Sequence, residues 1–203
     1  MKPDDQNALF EALISATGSE EVRNILSGIG DFDKATLNVP FGKHRLLWRP
    51  FGGKESNVST TGLGTKPGRS LTERITNAMD AILEDRVVPG VAPANSPRRA
   101  ANAWFGRPIS TSDAGLFSWA NKPDDFDKHI HVVLQQSDQE ESPTIDVLDD
   151  GIGIKGAEFP STILSLQSGN KIRKRHLIGA FGQGGAVTLD FCDYTLIFSR
   201  AHA

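Results

Sequence analysis

Cysteine is nearly missing from this chain of 203 residues, which carries Cys192 alone. A lone cysteine excludes an internal disulfide and is typical of a protein from a reducing compartment. The sequence also lacks any apolar run near the ~18 residues that a membrane-spanning helix needs. Its start, Met-Lys-Pro-Asp-Asp, has none of the features of a secretory signal peptide. We therefore expect a cytoplasmic protein with no membrane partner.

A strong net charge is lacking as well. The formal net charge is -3 at pH 7, which gives no general attraction for nucleic acid. Hydrophobic residues make up 38% and charged residues 23% of the chain, as in ordinary soluble globular proteins. A chain of this length can bury one core and is expected to form one main domain.

Three motifs are present, and the first is Asp149-Asp-Gly-Ile-Gly153. Residues 145–148, which are apolar except for Asp146, predict a short buried strand that stops at a carboxylate. Gly151 and Gly153 leave bare backbone beside it, so a flat ligand can approach closely. An ionised Asp149 can accept a hydrogen bond from an exocyclic amine such as that of adenine. The alternative is an ordinary turn, because Asp-Gly pairs are common turn formers.

The second motif lies on a predicted amphipathic helix. Glu73 and Asn77 are one turn apart on one helix face, which continues with Asp80 and Glu84. Asn77 offers a neutral oxygen to a hard cation such as magnesium, and Glu73 can hold and deprotonate a water molecule. The alternative is structural, because Ser70 and Glu73 have the spacing of a capping box at a helix start.

The third motif is the glycine-rich segment Gly179-Ala-Phe-Gly-Gln-Gly-Gly185, which precedes an apolar helical run. Bare N–H groups at a helix N-terminus form an anion site suited to phosphate. The segment is not a P-loop, because no Gly-Lys-Ser/Thr follows the glycines. It is not the dinucleotide fingerprint either, because no strand leads directly into it. The alternative is a surface loop.

Together the three motifs resemble those of the GHKL ATPases, the family of gyrase B, the heat-shock chaperones, histidine kinases and MutL. The family's Glu-x-x-x-Asn matches 73–77, its Asp-x-Gly-x-Gly matches 149–153, and its glycine-rich lid hinge matches 179–185. Order and approximate spacing agree over roughly residues 71–200. The resemblance implies a two-layer α/β sandwich of the Bergerat type, a mixed sheet with helices on one face.

The resemblance also implies roles for the motif residues. Asp149 would accept the adenine amine, with Gly151 and Gly153 beside it. Asn77 would coordinate the magnesium ion that bridges the phosphates of ATP, and Glu73 would orient the attacking water.

Further contacts with the nucleotide are implied elsewhere in the chain. Lys171 is a candidate phosphate contact, and Ser199 ends a predicted strand where the family places a hydroxyl near adenine. The glycines expected to line the phosphates are Gly179, Gly182, Gly184 and Gly185.

Glu73 discriminates among the functions of this family. Histidine kinases usually have Asn at this position and transfer phosphate without a water base, whereas the hydrolysing branches have Glu. We therefore expect magnesium-dependent binding and slow hydrolysis of ATP that drive lid closure and a dimerisation switch. The alternatives are a phosphotransfer domain of histidine-kinase type and a nucleotide-sensing interaction module that does not hydrolyse ATP. Asp150 stands where gyrase B and MutL often have Asn, and it would repel a triphosphate unless it faces away.

The expected organisation is an N-terminal extension over 1–69 and an ATP-binding domain over 70–203, with an insertion at about 87–127. The extension has two short helices broken at Gly18, which would cross to the partner in an ATP-dependent homodimer. Family members usually continue into further domains, so we expect further domains or partner proteins. His129 and His131 are predicted on one strand face and lack metal-ligand spacing. The predicted elements of the domain are helices at 71–85 and 97–105, strands at 129–134, 144–148 and 194–199, and a lid at about 155–185.

Overall fold

The structure is a computed structural model that describes residues 6–29, 38–41, 43–47, 66–105, 126–135, 143–162, 173–179 and 191–201. Within these ranges the chain is a mixed α/β protein. Its elements in order are α1 (Gln6–Ile14), α2 (Ser19–Ser27), β1 (Asn38–Phe41), β2 (His44–Leu47), α3 (Pro67–Asp85), α4 (Pro97–Phe105), α5 (Phe126–His129), β3 (Ile130–Gln135), β4 (Thr144–Asp149) and a 3-10 helix (Gly156–Ser161).

None of the helices in the described part of the chain combines the length and the apolar character that crossing a membrane requires.

Helix α3 is the central element of the described structure. It starts at Pro67, a residue that suits the first helical turn because an N–H group there has no partner within the helix. Its buried side chain Leu83 joins Ala100 of α4 and Leu177 in one apolar cluster. Partly buried apolar residues surround this cluster, namely Ala94, Trp104 and Phe105.

The observed start of α3 rules out the capping-box interpretation of Glu73. Ser70 lies inside the helix and is buried, with 6% of its surface exposed. The residue at the N-cap position is Lys66, which makes no side-chain capping bond. Glu73 is therefore two turns inside the helix, and satisfying the helix start is not its role.

Strands β3 and β4 confirm the predicted pairing. They are antiparallel, with Ile130 opposite Asp149 and Gln135 opposite Thr144. The prediction that β4 is buried is wrong, because Ile145 and Leu148 are each 48% exposed. Within the described residues β4 has only β3 as a neighbouring strand, so much of its surface stays open.

A second antiparallel pair joins β1 and β2. The predicted elements did not include β1, whose sequence contains a proline. Both sheets of the described residues are two-stranded and antiparallel, so the mixed sheet expected from the sequence is not present within them.

Two local predictions near the expected site are wrong. His129 is the last residue of the short helix α5, and only His131 lies in β3. Residues 194–199 form no regular strand. That segment contacts the rest of the chain through side chains and close backbone packing instead of a hydrogen-bonded ladder.

The N-terminal helices dock on their own chain. The Phe10 and Phe198 rings meet edge to face, with centroids 5.0 Å apart. The Thr144 hydroxyl at the start of β4 donates to the Thr17 carbonyl oxygen over 2.8 Å. The N-terminal region therefore contacts the start of β4 and the segment 191–201.

Candidate nucleotide site

The Asp149 carboxyl group lies at the end of β4 and organises the turn that follows. Its Oδ1 accepts a hydrogen bond from the Gly151 N–H over 3.0 Å. Partial desolvation raises the pKa of Asp149 above its ordinary value. The hydrogen bond from the Gly151 N–H lowers this pKa, and the nearby Asp150 charge raises it. Oδ2 has no hydrogen-bond partner within the described ranges. The turn thus uses one oxygen and leaves an acceptor for another donor.

Gly151 brings this turn directly against α3. A Cβ at position 151 would lie 2.5 Å from the carbonyl carbon of Ala81 and 2.7 Å from its Cβ. The neighbouring Ile152 N–H donates to the Ala81 carbonyl oxygen over 3.2 Å. Only glycine permits this approach. The bare backbone of Gly151 therefore contacts the helix, whereas the sequence suggested that it faces a ligand.

Gly153 has an equivalent task on the other side of the turn. It has φ +70°, a left-handed conformation that favours glycine. A Cβ there would lie 2.8 Å from the Cα of Ala201 and would also collide with the Arg200 carbonyl group. The Ile154 N–H donates to the Ser199 Oγ over 2.7 Å. Ser199 therefore lies beside the Asp-x-Gly-x-Gly turn, although its segment is not a strand.

The start of the glycine-rich segment is held by α3 as well. The Asp80 carboxylate accepts the Ile178 N–H over 2.6 Å and the Gly179 N–H over 3.1 Å. Asp80 is 2% exposed, so this contact lies inside the protein. Asp80 shares the predicted polar helix face of Glu73 and Asn77, but its sequence position predicted no role for it. The available signal was an acid one turn beyond Asn77 on that face.

Glu73 and Asn77 lie on the same helix, before these two contacts. Asn77 precedes Ala81 by one helical turn and Glu73 precedes it by two, about 6 and 12 Å along the axis. Both residues are partly buried. The side of α3 that carries them therefore leads directly into the region where both glycine motifs are attached.

Several predicted site residues lie outside the described residues, namely Lys171, Gly182, Gly184 and Gly185. Gly179 lies within them, but its N–H is engaged by Asp80. A direct phosphate contact by that N–H would require its release.

Asp150 is directed to a partner of its own. Its carboxylate oxygens lie 2.7 and 2.8 Å from Nδ1 of His129. The Phe105 ring meets the His129 ring edge to face at 6.2 Å, and the Arg86 guanidinium lies 5.3 Å from the Phe105 centroid. The Asp150 carboxylate is therefore directed to the His129 ring and is engaged by a partner of its own.

Near the Asp80 anchor, an ion pair and a histidine tie 173–179 to the helices. Lys174 pairs with Glu84, one turn beyond Asp80 on α3. His176 is 4% exposed, and its ring meets that of Trp104 edge to face at 5.9 Å. The pKa of His176 is lowered overall, mainly by burial. Lys174 also lowers this pKa, whereas Glu84 and Asp80 raise it. Neither ring nitrogen has a hydrogen-bond partner in the described part of the chain.

The donor set fits a cation that is shared with phosphate. No group of three or more His, Cys, Asp or Glu in the described ranges could hold a metal ion unaided. Magnesium in nucleotide sites needs few protein ligands, because phosphate oxygens and waters complete its coordination. Asn77 fits that requirement as a single oxygen donor.

A cavity of about 280 Å³ lies away from this site, between α1 and α2. It contains none of the residues discussed above and is not part of the candidate site. Its lining residues are Ala12, Ser15, Ala16, Glu21, Asn24 and Ile25.

No protein-family model, curated protein or solved structure matches this chain.

Proposed function

We propose that this chain is a magnesium-dependent ATPase of the GHKL type. The observation that carries the proposal is the convergence of three separated motifs on α3. The Asp-x-Gly-x-Gly turn is attached at Ala81, and the start of the glycine-rich segment is attached at Asp80. Two adjacent residues of the helix that carries Glu73 and Asn77 therefore receive both of the other motifs.

Recognition of the base is assigned to Asp149. Its Oδ2 is available to accept the adenine amine, while Oδ1 keeps the turn in shape through the Gly151 N–H. Gly151 and Gly153 act by fixing this turn between α3 and the segment 199–201. The Ser199 hydroxyl lies at the same turn, where it holds the Ile154 N–H. The site thus offers an acceptor of fixed position, which discriminates between an amine and a carbonyl on a purine.

Phosphate chemistry is assigned to the first half of α3. Magnesium supplies charge neutralisation at the phosphates, and Asn77 is the side chain proposed to hold it. Glu73, one turn earlier, is proposed to hold a water molecule and accept its proton. The exclusion of the capping role leaves the Glu73 carboxylate available for this task. Lys171 and the glycines at 182, 184 and 185 remain sequence-based candidates for phosphate contacts.

The proposal is tested by separating binding from turnover. We expect the chain to bind ATP in a magnesium-dependent manner and to release phosphate slowly. Glu73→Ala is expected to keep ATP binding and to lose about 10²–10⁴-fold in rate, the contribution of a general base. Asn77→Ala is expected to lose the magnesium-dependent part of binding. Calorimetry and a phosphate-release assay measure the two effects.

The matched control is Glu11→Ala, which removes an exposed glutamate of α1. It is expected to change neither binding nor turnover. Absence of ATP binding by the unmodified chain would refute the proposal. Equal turnover in the chain and in Glu73→Ala would refute the assignment of the base. Binding with no turnover in either protein would identify a nucleotide-sensing module, and phosphate transfer to a partner histidine would identify a kinase.

A further inference from the structure

We propose that Asp80 is a positioning residue that anchors the start of the glycine-rich segment to the nucleotide-binding helix. This inference rests on the proposed function, which it extends to a residue with no expected contact with nucleotide. Two consecutive N–H groups, of Ile178 and Gly179, converge on the two oxygens of one carboxylate. Oδ1 accepts the Ile178 N–H and Oδ2 accepts the Gly179 N–H, so the backbone at this point is held in both position and orientation.

The burial of Asp80 makes this contact an internal anchor. The residue is 2% exposed and is among the largest fully buried side chains of the described residues. A buried carboxylate is retained at low cost only when it is well hydrogen-bonded. Hydrogen bonds from backbone N–H groups to a carboxylate are charge-assisted and stronger than neutral ones. These hydrogen bonds are therefore expected to persist in the folded protein.

A second attachment supports the same segment one turn further along α3. Lys174 pairs with Glu84, and the buried ring of His176 packs on Trp104 of α4 between these two attachments. The segment 173–179 is thus held along the acidic face of α3. Of these attachments, Asp80 is the nearest to Asn77, one turn away on the helix, and so it holds Ile178 and Gly179 close to the proposed magnesium ligand.

The anchor has a specific consequence for binding. The proposed function assigns the phosphates to the glycine-rich segment that begins at Gly179 and assigns adenine to Asp149, beyond the contact with Ala81. Loss of the anchor is therefore expected to weaken binding of ATP and ADP while leaving binding of adenosine unchanged. A purely structural role in the helix would weaken all three ligands alike.

The test combines amide hydrogen exchange with ligand binding in Asp80→Asn. Asparagine has the same shape, but its amide group faces one of the two N–H donors and cannot accept its hydrogen bond. We expect the Ile178 and Gly179 amides to lose exchange protection by about 10- to 100-fold, as for the loss of a hydrogen bond to a charged group. ATP affinity is expected to fall about 10-fold or more, with adenosine affinity unchanged.

The matched variant is Glu84→Gln, which breaks the neighbouring ion pair on the same helix. That pair is partly exposed, with 40% and 29% of its side chains accessible, so its loss is expected to change both readouts by less than about five-fold. If Asp80→Asn does not fold, exchange in the unmodified chain still decides the matter. Unprotected Ile178 and Gly179 amides there would overturn the anchor.

The remaining outcomes separate this inference from the proposed function. Unchanged or tighter ATP binding in Asp80→Asn, or equal losses for ATP and adenosine, would overturn the positioning role. An unmodified chain that binds neither ATP nor adenosine would overturn the proposed function, and the positioning role with it. A protected amide pair that loses protection only in Asp80→Asn, together with a loss confined to the phosphorylated ligands, supports both.

Discussion

At the scale of single residues, the adjacent carboxylates of Asp149 and Asp150 make different contacts. Asp150 turns to the imidazole of His129, whereas Asp149 turns back to its own loop through the Gly151 N–H. The pKa of Asp149 is raised, mainly by partial desolvation of its carboxyl group, although the residue as a whole stays exposed at the end of β4. Asp150 is therefore engaged by a side chain, whereas Asp149 Oδ2 stays open to the recognition role proposed for it.

The first prediction concerns Asp149→Asn. Asparagine keeps an oxygen for the Gly151 N–H but replaces the second acceptor by a donor, so ATP binding should weaken by about 1.5–3 kcal/mol. Calorimetry with ATP measures the loss, and GTP should bind poorly to the unmodified chain. The control Asp150→Asn removes the neighbouring charge and should leave ATP affinity unchanged or raised. Equal ATP affinity in Asp149→Asn and the unmodified chain would end the assignment.

The second prediction concerns His176 and pH. Its pKa is lowered in the folded chain by burial, so the unfolded chain binds a proton at a higher pH than the folded one. The stability that depends on neutral His176 is complete above the unfolded pKa of about 6.5 and is lost as the pH falls through the lower folded value. Urea unfolding at pH 7.5 and 5.5 should show this loss.

His176→Phe provides the comparison for that experiment, because it keeps an aromatic ring against Trp104 but cannot titrate. Asp80, Glu84 and Lys174 face the ring and are unchanged in the variant. The unmodified chain should lose more unfolding free energy than His176→Phe between the two pH values. Equal losses would assign the pH dependence to other groups.

At the scale of elements, α3 is the platform on which the other motifs are assembled. Its side chains bury an apolar cluster with α4 on one face, while its backbone and acids receive the turn after β4 and the segment 173–179 on another. A substitution in either glycine motif is therefore expected to lower the stability of α3 as well as nucleotide binding.

The third prediction tests the close contact between the turn and the helix. Gly151→Ala places a Cβ 2.5 Å from the Ala81 carbonyl carbon and 2.7 Å from the Ile82 nitrogen. Overpacking of this kind should lower the free energy of unfolding by about 1–3 kcal/mol, measured by urea denaturation. Gly156→Ala is the matched control, because nothing lies within 4 Å of its Cβ position. If both variants unfold alike, the turn is not packed on α3 as described.

Elements with a clear local pattern were predicted well from the sequence. Helix α4 occupies 97–105 as expected, and the pairing of β3 with β4 follows from their apolar alternation. The start of α3 was missed because Ser70 and Glu73 imitate a capping box while the helix begins at Pro67. Burial of β4 was overestimated. Its apolar side chains indicate that the strand prefers apolar contacts, but the local sequence does not show which neighbouring elements cover it.

The candidate site divides in the same way. Asp149 and its glycines form a local turn, so their geometry follows from a few consecutive residues. The attachment of Ile178 to Asp80 spans 98 residues of sequence and could not be read from spacing. The pairing of His129 with Asp150 was missed for the same reason, because it depends on how β3 and β4 are registered.

At the scale of the whole molecule, the N-terminal helices bear on how the chain would assemble. The family resemblance places such a segment on the partner in an ATP-bound dimer. Here the helices dock in cis, through Phe10 on Phe198 and through Thr17 at Thr144. An exchange between two copies would first have to break these contacts, and the cost of undocking would weaken the proposed dimer.

The fourth prediction is therefore partial and nucleotide-dependent dimerisation. The chain should be a monomer when empty or bound to ADP and should dimerise in part with a non-hydrolysable ATP analogue, as measured by sedimentation velocity. Glu73→Ala should reach the same state with ATP itself, because it retains the terminal phosphate. Protease cleavage in the basic run 171–175 should decrease under the same conditions. Identical sedimentation and cleavage with ADP and with the analogue would contradict a switch that senses the terminal phosphate.

The docking of the N-terminal helices also has a consequence for co-translational folding. Arg23 of α2 donates to the Tyr194 hydroxyl oxygen over 3.4 Å, and 171 residues separate the two positions. At ribosomal rates of about 5–20 residues per second, the partner of α2 emerges roughly 10–30 s later. During that interval Phe10, which is 40% exposed even in the folded chain, lacks its edge-to-face contact with Phe198, so the docking of the N-terminal helices can only be completed after the last part of the chain has emerged.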